Sequence, residues 1–332
     1  MAAAISNLID NLCAFDDEDN MATTAVQLET ETTPVPVRPS RAVDTHLYYF
    51  PDDQIIKDLY LGTASMHLMK FKPVPTAIHD VRSSEEDFTL DKNGFQYVKQ
   101  KPSVKDLKGN DDERIKKVVY AETEELVKAI TGATHVVITS HLVRMSSLKD
   151  VTEAAEMAED EMKVLPPGPA THIHVDQSYE SSVQFLKDAL TPEEAAQLQK
   201  TRWGIINVWR PISRAVTRDA LAVCDWNSLS LSQLQPVMVH LPTSDGKSSN
   251  EIQHSRSFES WRLKHAGEEN KWYFCSNMTP DEALLIKSFD SKLDGRARLA
   301  PLTSFESRYD KGPARWSLEM RCLVFWEDQE AE

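Results

Sequence analysis

The clearest element in the hydrophobic pattern is an amphipathic helix at residues 111–131. Its apolar side chains recur at helical spacing, acidic residues occupy its first turn, and Gly132 follows its end. The next segment, HVVITSHLVR, alternates like a buried strand, whereas residues 147–163 are acidic and helix-prone with few apolar positions. The pattern therefore predicts an amphipathic helix, a buried strand and a solvated connecting helix.

Strand-like runs surround these segments. HLYYF, AIHDVR and FQYVK predict β-structure at the start of the domain, and the pair Asn93-Gly94 supplies the positive φ that a tight connection between strands needs. Later runs predict strands at THIHVD, GIINVWRPI, LAVCDW, QPVMVHL, KWYFCSNM and SLEMRCLVFW, and helices at LKDALTPEEAAQLQK and PDEALLIKSFD. Strands that dominate the second half, with helices concentrated before them, are typical of an antiparallel sandwich or jelly roll buttressed by helices.

Composition divides the chain into a tail and one domain. Residues 1–44 combine acidic clusters with the stretch TETTPVPVRPSR, which buries too little apolar surface to offset the entropy of ordering it. We therefore expect a flexible N-terminal tail at 1–44 and a single domain at 45–330. The chain of 332 residues, 41% hydrophobic and 27% charged, is large enough for a full hydrophobic core.

The net charge restricts the class of partner. Lys and Arg number 37 against 52 Asp and Glu, which gives a net charge of -15, and such a field repels nucleic-acid phosphates and anionic lipids. We expect a small-molecule substrate, no nucleic acid and no membrane, and we leave a homo-oligomer open. No basic leader with a long apolar run starts the chain, and no stretch approaches the roughly 20 apolar residues that span a bilayer, which predicts a cytoplasmic location.

Cysteine spacing argues against a zinc cluster and against a disulfide framework. Cys13, Cys224, Cys275 and Cys322 lie far apart and form no C-x-x-C pair. We expect buried free thiols.

Candidate chemistry is concentrated in the segment THIHVDQS. His174 and Asp176 lie two positions apart in an extended strand, so their side chains face the same way, and His172 joins them. His-x-Asp is the proximal part of a 2-His-1-carboxylate set, which supplies the nitrogen and oxygen donors that Fe(II) prefers. A surface His/Asp pair is the ordinary alternative for so short a pattern.

A second signal lies downstream, at Arg315-Trp316-Ser317. This tripeptide resembles the Arg-x-Ser of 2-oxoglutarate oxygenases, in which a guanidinium and a hydroxyl hold the far carboxylate of the cosubstrate. Arg321 lies on the same strand parity as Ser317 and could assist Arg315. The alternative is a surface arginine on an edge strand.

Segments between residues 46 and 328 together resemble, in the same order, the fungal hydroxylase/desaturase family often called gibberellin-desaturase-like. They include FTLDKNGFQYVK, HVDQS, INVWRPI, LAVCDWNSL, WYFCSNMTPDEALLIKSFDS, ARLAPLTSFES and ARWSLEMRCLVFWE. The resemblance implies an α+β, mainly β fold, a double-stranded β-helix of jelly-roll or cupin type. It also implies an oxidoreductase of natural-product biosynthesis that uses Fe(II) and 2-oxoglutarate to hydroxylate or desaturate a small apolar intermediate.

Under this resemblance each candidate residue has an expected role. His174 and Asp176 are the catalytic and metal-binding pair, and Arg315, Ser317 and Arg321 bind the cosubstrate. The substrate pocket is expected to contain Gln177, Asn207, Trp209, Arg210 and Leu302, although Trp209 could equally belong to the core. His141 and Arg144 match a family segment near the pocket, and for His141 we favour a satisfied core histidine.

The chain departs from the family pattern at the distal iron ligand. Where the family reads P-H-T-A-F, this chain has PLTSF, so Leu302 replaces the expected histidine, and no histidine follows His265. Three outcomes stay open. Another histidine could substitute (His172, His240, His254 or His265), or His174 and Asp176 could form a weak or substrate-completed metal site. In the third outcome no cofactor binds, and His174 acts as acid and base with Asp176 orienting it, in a cyclase, isomerase or dehydratase.

Overall fold

Fourteen strands and seven α-helices are found in the part of the chain that the computed structural model describes, namely residues 42–52, 56–104, 107, 111–160, 162–164, 167–241, 256–267 and 270–331. The strands are β1 (Ala42–Tyr49), β2 (Asp58–Tyr60), β3 (Lys72–Asp80), β4 (Phe95–Lys99), β5 (His135–Arg144), β6 (His174–Val175), β7 (Thr201–Pro211), β8 (Ala220–Cys224), β9 (Leu234–Leu241), β10 (Arg256–Leu263), β11 (Trp272–Phe274), β12 (Glu282–Asp290), β13 (Leu302–Phe305) and β14 (Ser317–Glu330). The helices are α1 (Ala64–His67), α2 (Leu90–Asn93), α3 (Asp112–Arg114), α4 (Tyr120–Thr131), α5 (Leu148–Glu156), α6 (Tyr179–Ala189) and α7 (Pro192–Leu198).

The strands form two sheets. Nine strands pair in the order β1-β3-β11-β8-β13-β6-β10-β9-β2, and five pair in the order β4-β12-β7-β14-β5. The long strands β7 and β14 are antiparallel neighbours and form the centre of the smaller sheet. The predicted fold class, a mainly β jelly roll with helices outside it, is confirmed.

Apolar side chains fill the space between the two sheets. They also cover the face of the five-stranded sheet that points away from the larger sheet. Trp209 and Leu284 of the smaller sheet pack with Val223 and Leu302 of the larger sheet. On the other side of the smaller sheet, Val127 of α4 packs with the side chains that alternate with the first set (Ile206, Val208, Leu318 and Met320). Strand alternation thus divides β7 into one face toward the larger sheet and one face toward the helix.

Most predicted elements are confirmed. The amphipathic helix is observed as α3, a π-helical turn at Ile115–Val119 and α4, and it ends at Gly132 with φ 69°. Strand β1 begins at Ala42, and the part of the predicted tail before that residue lies outside the described residues. Cys224, Cys275 and Cys322 are buried free thiols as expected, whereas Cys13 is outside the described residues.

Two local predictions need correction. The segment PDEALLIKSFD forms strand β12, because its apolar run is buried on both faces between β4 and β7, and a fully buried run has no periodicity that separates strand from helix. Gly94 does have positive φ, 84°, but it ends helix α2 and does not join two strands. A Cβ there would also lie 2.6 Å from the carbonyl oxygen of Leu299, so the backbone approach itself requires glycine.

No helix among the described residues is both long enough and apolar enough to cross a bilayer.

A buried ion cluster joins β7, β12 and helix α2. The Lys287 ammonium lies 2.8 Å from carboxylate oxygens of Asp290 and Asp91, and Arg202 donates to the same two residues at 2.7 and 2.9 Å. The side chains of Lys287 and Asp290 are 1% and 0% exposed. Because each buried charge has an opposite partner, the cluster is a closed structural unit.

Asp290→Ala should lower the free energy of unfolding by about 3–5 kcal/mol, because it leaves two buried cations with only the half-exposed Asp91. Chemical denaturation measures this loss. The control is Asp294→Ala, which removes a surface ion pair with Arg296 and should cost less than about 1 kcal/mol. Equal losses in the two variants would contradict a structural role for the buried cluster.

Candidate active site

The shortest strand positions the central histidine. β6 has two residues and pairs with β13 on one side, where Leu302 is opposite His174, and with β10 on the other side, where Arg262 is opposite His174. Residues directly opposite each other in adjacent strands project from the same face of the sheet. Leu302, His174 and Arg262 therefore form a row, and all three line one cavity of about 560 Å³.

The smaller sheet forms the opposite wall of this cavity. In β14, Glu319 pairs with Trp209 of β7, and Arg321 pairs with Asn207. Trp209, Glu319 and Arg321 line the cavity, while Asn207 is fully buried beneath it. The cavity thus lies between the two sheets, in the interior of the double-stranded β-helix.

The imidazole of His174 has a fixed orientation. Its Nδ1 is 2.9 Å from the carbonyl oxygen of His172, and because that oxygen only accepts, Nδ1 carries the proton. The other nitrogen, Nε2, keeps its lone pair and lies 3.7 Å from Oδ1 of Asp176. Burial lowers the pKa of His174 to about 4, although the nearby Asp176 opposes the shift, so the ring is neutral at pH 7.

The other oxygen of the Asp176 carboxylate, Oδ2, accepts two hydrogen bonds that hold the group in place. Arg321 Nη2 donates to Oδ2 at 2.7 Å, and the side-chain amide of Asn207 donates to the same atom. Burial alone would raise the pKa of Asp176, but the charge of Arg321 and these hydrogen bonds outweigh it and bring the pKa to about 2. The pKa of Glu319 is raised by its burial and by the charge of Asp176. Asp176 is therefore ionised, with Oδ1 directed at His174.

Arg315 reaches the cavity beside β13. Its Nη1 donates to Ser304 Oγ at 2.9 Å and to the carbonyl oxygen of Asp219, and its guanidinium lies 5.3 Å from the ring centre of Trp209. The Nε of Arg315 is buried without a hydrogen-bond partner, and burial lowers the pKa of the group to about 10. Arg315 is thus a cation held by neutral acceptors.

The structure brings most of the predicted site residues together. Six of them line the single cavity described above: His174, Asp176, Trp209, Leu302, Arg315 and Arg321. Asn207 lies behind this wall and orients Asp176.

Three predicted residues lie elsewhere. Arg210 faces the opposite side of β7 from Trp209 and donates to the carbonyl oxygens of Gln100 and Pro280, both at 3.1 Å, because adjacent strand residues point to opposite faces. Ser317 and Gln177 are buried, at 1% and 2% exposure, and do not belong to the cavity wall. Ser304 takes the hydroxyl position beside Arg315 that was expected of Ser317.

The alternative histidines differ in their distance from the site. His172 lines the cavity, stacks on Phe71 and has its ring centre 5.2 Å from that of His174. His240 bonds to Asp58 and Ser257, and His265 packs on Tyr49, both away from the described cavity lining. His254 lies outside the described residues. Of the three described histidines in this set, only His172 lines the cavity.

Sequence reasoning missed several cavity residues. Glu319 lies between Ser317 and Arg321 on the inward parity of β14, and Arg262 alternates with the outward Trp261 in β10, so period-two patterning could have selected both. His141 also lines the cavity, but its two nitrogens are engaged by Tyr120 and Asp112, as expected of a satisfied histidine. Arg144 lines the cavity and donates to the carbonyl oxygen of Gly168.

The site offers two side-chain donors to one metal ion. His174 Nε2 and Asp176 Oδ1 are neutral and anionic donors, and their 3.7 Å separation is within about 1 Å of the spacing of two ligands each about 2.1 Å from one metal. The carbonyl at Nδ1 is the outer support that metal-binding histidines have. No group of three His, Cys, Asp or Glu in the described chain is arranged to hold a metal. The arrangement fits two protein ligands and lacks the third, where Leu302 lies.

Known proteins resemble this chain over most of its length. Residues 48–325 match a family model described as "Oxidoreductase/YMDC permease-like domain". The hydroxylase/desaturase efuI of Hormonema carpetanum is 42% identical over 88% of this chain and 98% of its own length. A hydroxylase/desaturase of Cercospora beticola is 38% identical over 92% of each chain.

More distant relatives share the architecture. The Fe(II)/2-oxoglutarate-dependent dioxygenase nvfI of Aspergillus novofumigatus is 28% identical over 76% of this chain and 84% of its own. A solved structure named as the iron and alpha-ketoglutarate-dependent endoperoxidase NvfI superposes with a TM-score of 0.67 at 23% identity, over 86% of this chain and 98% of that one. Because relatives named as hydroxylase/desaturases match almost end to end, this chain belongs to the fungal hydroxylase/desaturase family of secondary metabolism and is an oxidoreductase.

Proposed function

We propose that this protein hydroxylates or desaturates a small natural-product intermediate, with Fe(II) bound by His174 and Asp176 and 2-oxoglutarate bound at Arg315. The observation that carries the proposal is the convergence of an imidazole lone pair, an ionised carboxylate and a buried guanidinium on one cavity of about 560 Å³. That volume suits a small molecule. The names of the relatives support the same chemistry.

The protein groups have separate tasks in this proposal. Bound Fe(II) with 2-oxoglutarate supplies the oxidation of an unactivated C–H bond. Arg321 and Asn207 fix the carboxylate of Asp176, and the carbonyl of His172 fixes the imidazole of His174. Arg315, with Ser304 at its side, offers a cation to a carboxylate of the cosubstrate. Trp209 and Leu302 supply apolar wall that excludes water from the substrate.

One observation favours a second function. Leu302 is directly opposite His174 and leaves the metal site with two protein donors. In the second function the protein binds no metal and acts as a cyclase, isomerase or dehydratase: His174 moves a proton at Nε2, beside the Asp176 carboxylate, while the carbonyl of His172 orients the ring. A retained jelly-roll cavity is compatible with both, since the fold does not determine the reaction.

Anaerobic addition of Fe(II) and 2-oxoglutarate should give a visible charge-transfer band in the native protein, because the cosubstrate then chelates the metal. His174→Ala should abolish the band by removing one of the two protein donors. The matched control is His240→Ala, which removes a histidine bonded to Asp58 and Ser257 outside the cavity lining, and the band should persist.

A native protein without the band even at millimolar iron would contradict the oxygenase proposal. Turnover of a natural substrate that survives EDTA but is lost in His174→Ala would then establish the metal-independent function.

Leu302→His should raise the affinity for Co(II) by at least about 10-fold, because it places a second imidazole opposite His174 on the same face of the sheet. Titration of the Co(II) ligand-field absorption measures this affinity. Leu221→His adds a histidine to the same cavity on β8, opposite Ser304, and serves as the control, with little change expected. An equal gain in both variants would show that any added histidine suffices and that position 302 is not special.

A further inference from the structure

The cavity carries an excess of positive charge, although the chain as a whole has a net charge of -15. Among the described residues, its charged lining consists of five basic and two acidic side chains: Arg144, Lys163, Arg262, Arg315, Arg321, Asp176 and Glu319. Arg321 is the basic member of this set that makes an ion pair with a carboxylate in the described structure. The cavity is thus a local cationic site in an acidic protein, which attracts anionic ligands.

Among the cavity cations that have no carboxylate partner, Arg262 is the most completely buried. The residue is 2% exposed, and its Nη1 donates to neutral acceptors, Ser260 Oγ and the carbonyl oxygen of Trp261. Its Nε is buried and has no hydrogen-bond partner. A desolvated guanidinium with unused donors is costly unless an anion pairs with it, and a carboxylate suits its planar geometry.

Arg262 and Arg315 lie on opposite sides of His174. Arg262 belongs to β10 and is directly opposite His174, whereas Arg315 bonds to Ser304 of β13, the strand on the other side of β6. The two guanidiniums can therefore hold two different anionic groups, one on each side of the candidate reaction centre.

Apolar surface continues from Arg262 along the same strand. Phe258, Ser260 and Arg262 are alternate residues of β10, and all three line the cavity. Phe258 packs with Val239, Met69 and Phe71 in one hydrophobic cluster, and these residues also line the cavity. This end of the cavity fits a ligand with an apolar body and one anionic end.

We infer that the substrate is an apolar carboxylic acid whose carboxylate binds Arg262 beside His174, while its body lies against Phe258 and its neighbours. The inference names the substrate class of the reaction proposed above and rests on that proposal for the chemistry that follows binding. A carboxylate of 2-oxoglutarate is the other source of the same anion, and the experiment separates the two.

The test compares two probes of the same shape, 2-naphthoate and 2-naphthamide, by calorimetric titration of the native protein. We expect naphthoate to bind at least about 10-fold more tightly than the neutral amide. Arg262→Gln should remove this preference, and Arg262→Lys should retain part of it because the charge remains. Equal affinity of the native protein for the two probes overturns the inference, and this comparison holds even if a variant fails to fold.

Two control variants identify the guanidinium responsible. Arg315→Gln removes the cation on the other side of His174 and should leave the preference for naphthoate intact. Arg210→Gln removes a buried arginine that bonds to two carbonyl oxygens outside the cavity, and it reports the effect of losing any buried guanidinium. Loss of the preference in Arg210→Gln to the same extent as in Arg262→Gln overturns the assignment to Arg262.

Titration with 2-oxoglutarate in the presence of Fe(II), without oxygen, separates the two sources of the anion. If Arg262→Gln weakens 2-oxoglutarate binding at least 10-fold and leaves the naphthoate preference unchanged, Arg262 serves the cosubstrate and the inference is wrong. If the native protein shows no charge-transfer band but prefers naphthoate through Arg262, the oxygenase proposal fails while the substrate class stands.

Discussion

The pairing of β6 between β13 and β10 is the constraint on which the site depends. This strand has only two residues, and backbone hydrogen bonds on both flanks hold the surrounding segment: Ile173 donates to the carbonyl of Tyr48, and Ser178 donates to the carbonyl of Glu259. A shift of one residue in this register would turn His174 and Asp176 away from the cavity. The same register places Leu302 and Arg262 on either side of the imidazole, so it decides which side chains flank His174.

Two groups of buried charges in the described part of the chain differ in their partners. Around Lys287 and Asp290 every buried charge has an opposite partner, and that cluster joins strands to a helix. Around the cavity, Arg262 and Arg315 are held by neutral acceptors and keep an unpaired Nε. Because an unpaired buried cation is costly, we propose that each of these two arginines pairs with an anionic ligand.

Different features of the molecule bear on its family and on its reaction. The jelly roll and the family are shared with relatives named as hydroxylase/desaturases, and the fold is shared with an iron and alpha-ketoglutarate-dependent endoperoxidase. Leucine at position 302, opposite His174, is a property of the site and not of the fold. A leucine there leaves the sheet intact because its side chain packs with Trp209 and Val223. The scaffold can therefore persist while the metal chemistry at its centre changes.

The sequence by itself determined the elements whose side chains alternate between water and core, such as the helix at 111–131 and the strand β5, and it determined that His174 and Asp176 share a face. It also carried the family resemblance and the replacement at Leu302. It did not determine β12, because a segment buried on both faces shows no period. Nor did it show that Arg262, 88 positions after His174, lies directly opposite it. Strand order and register arise from the packing of the whole chain, so only the tertiary structure decided which cations and which apolar side chains surround the histidine.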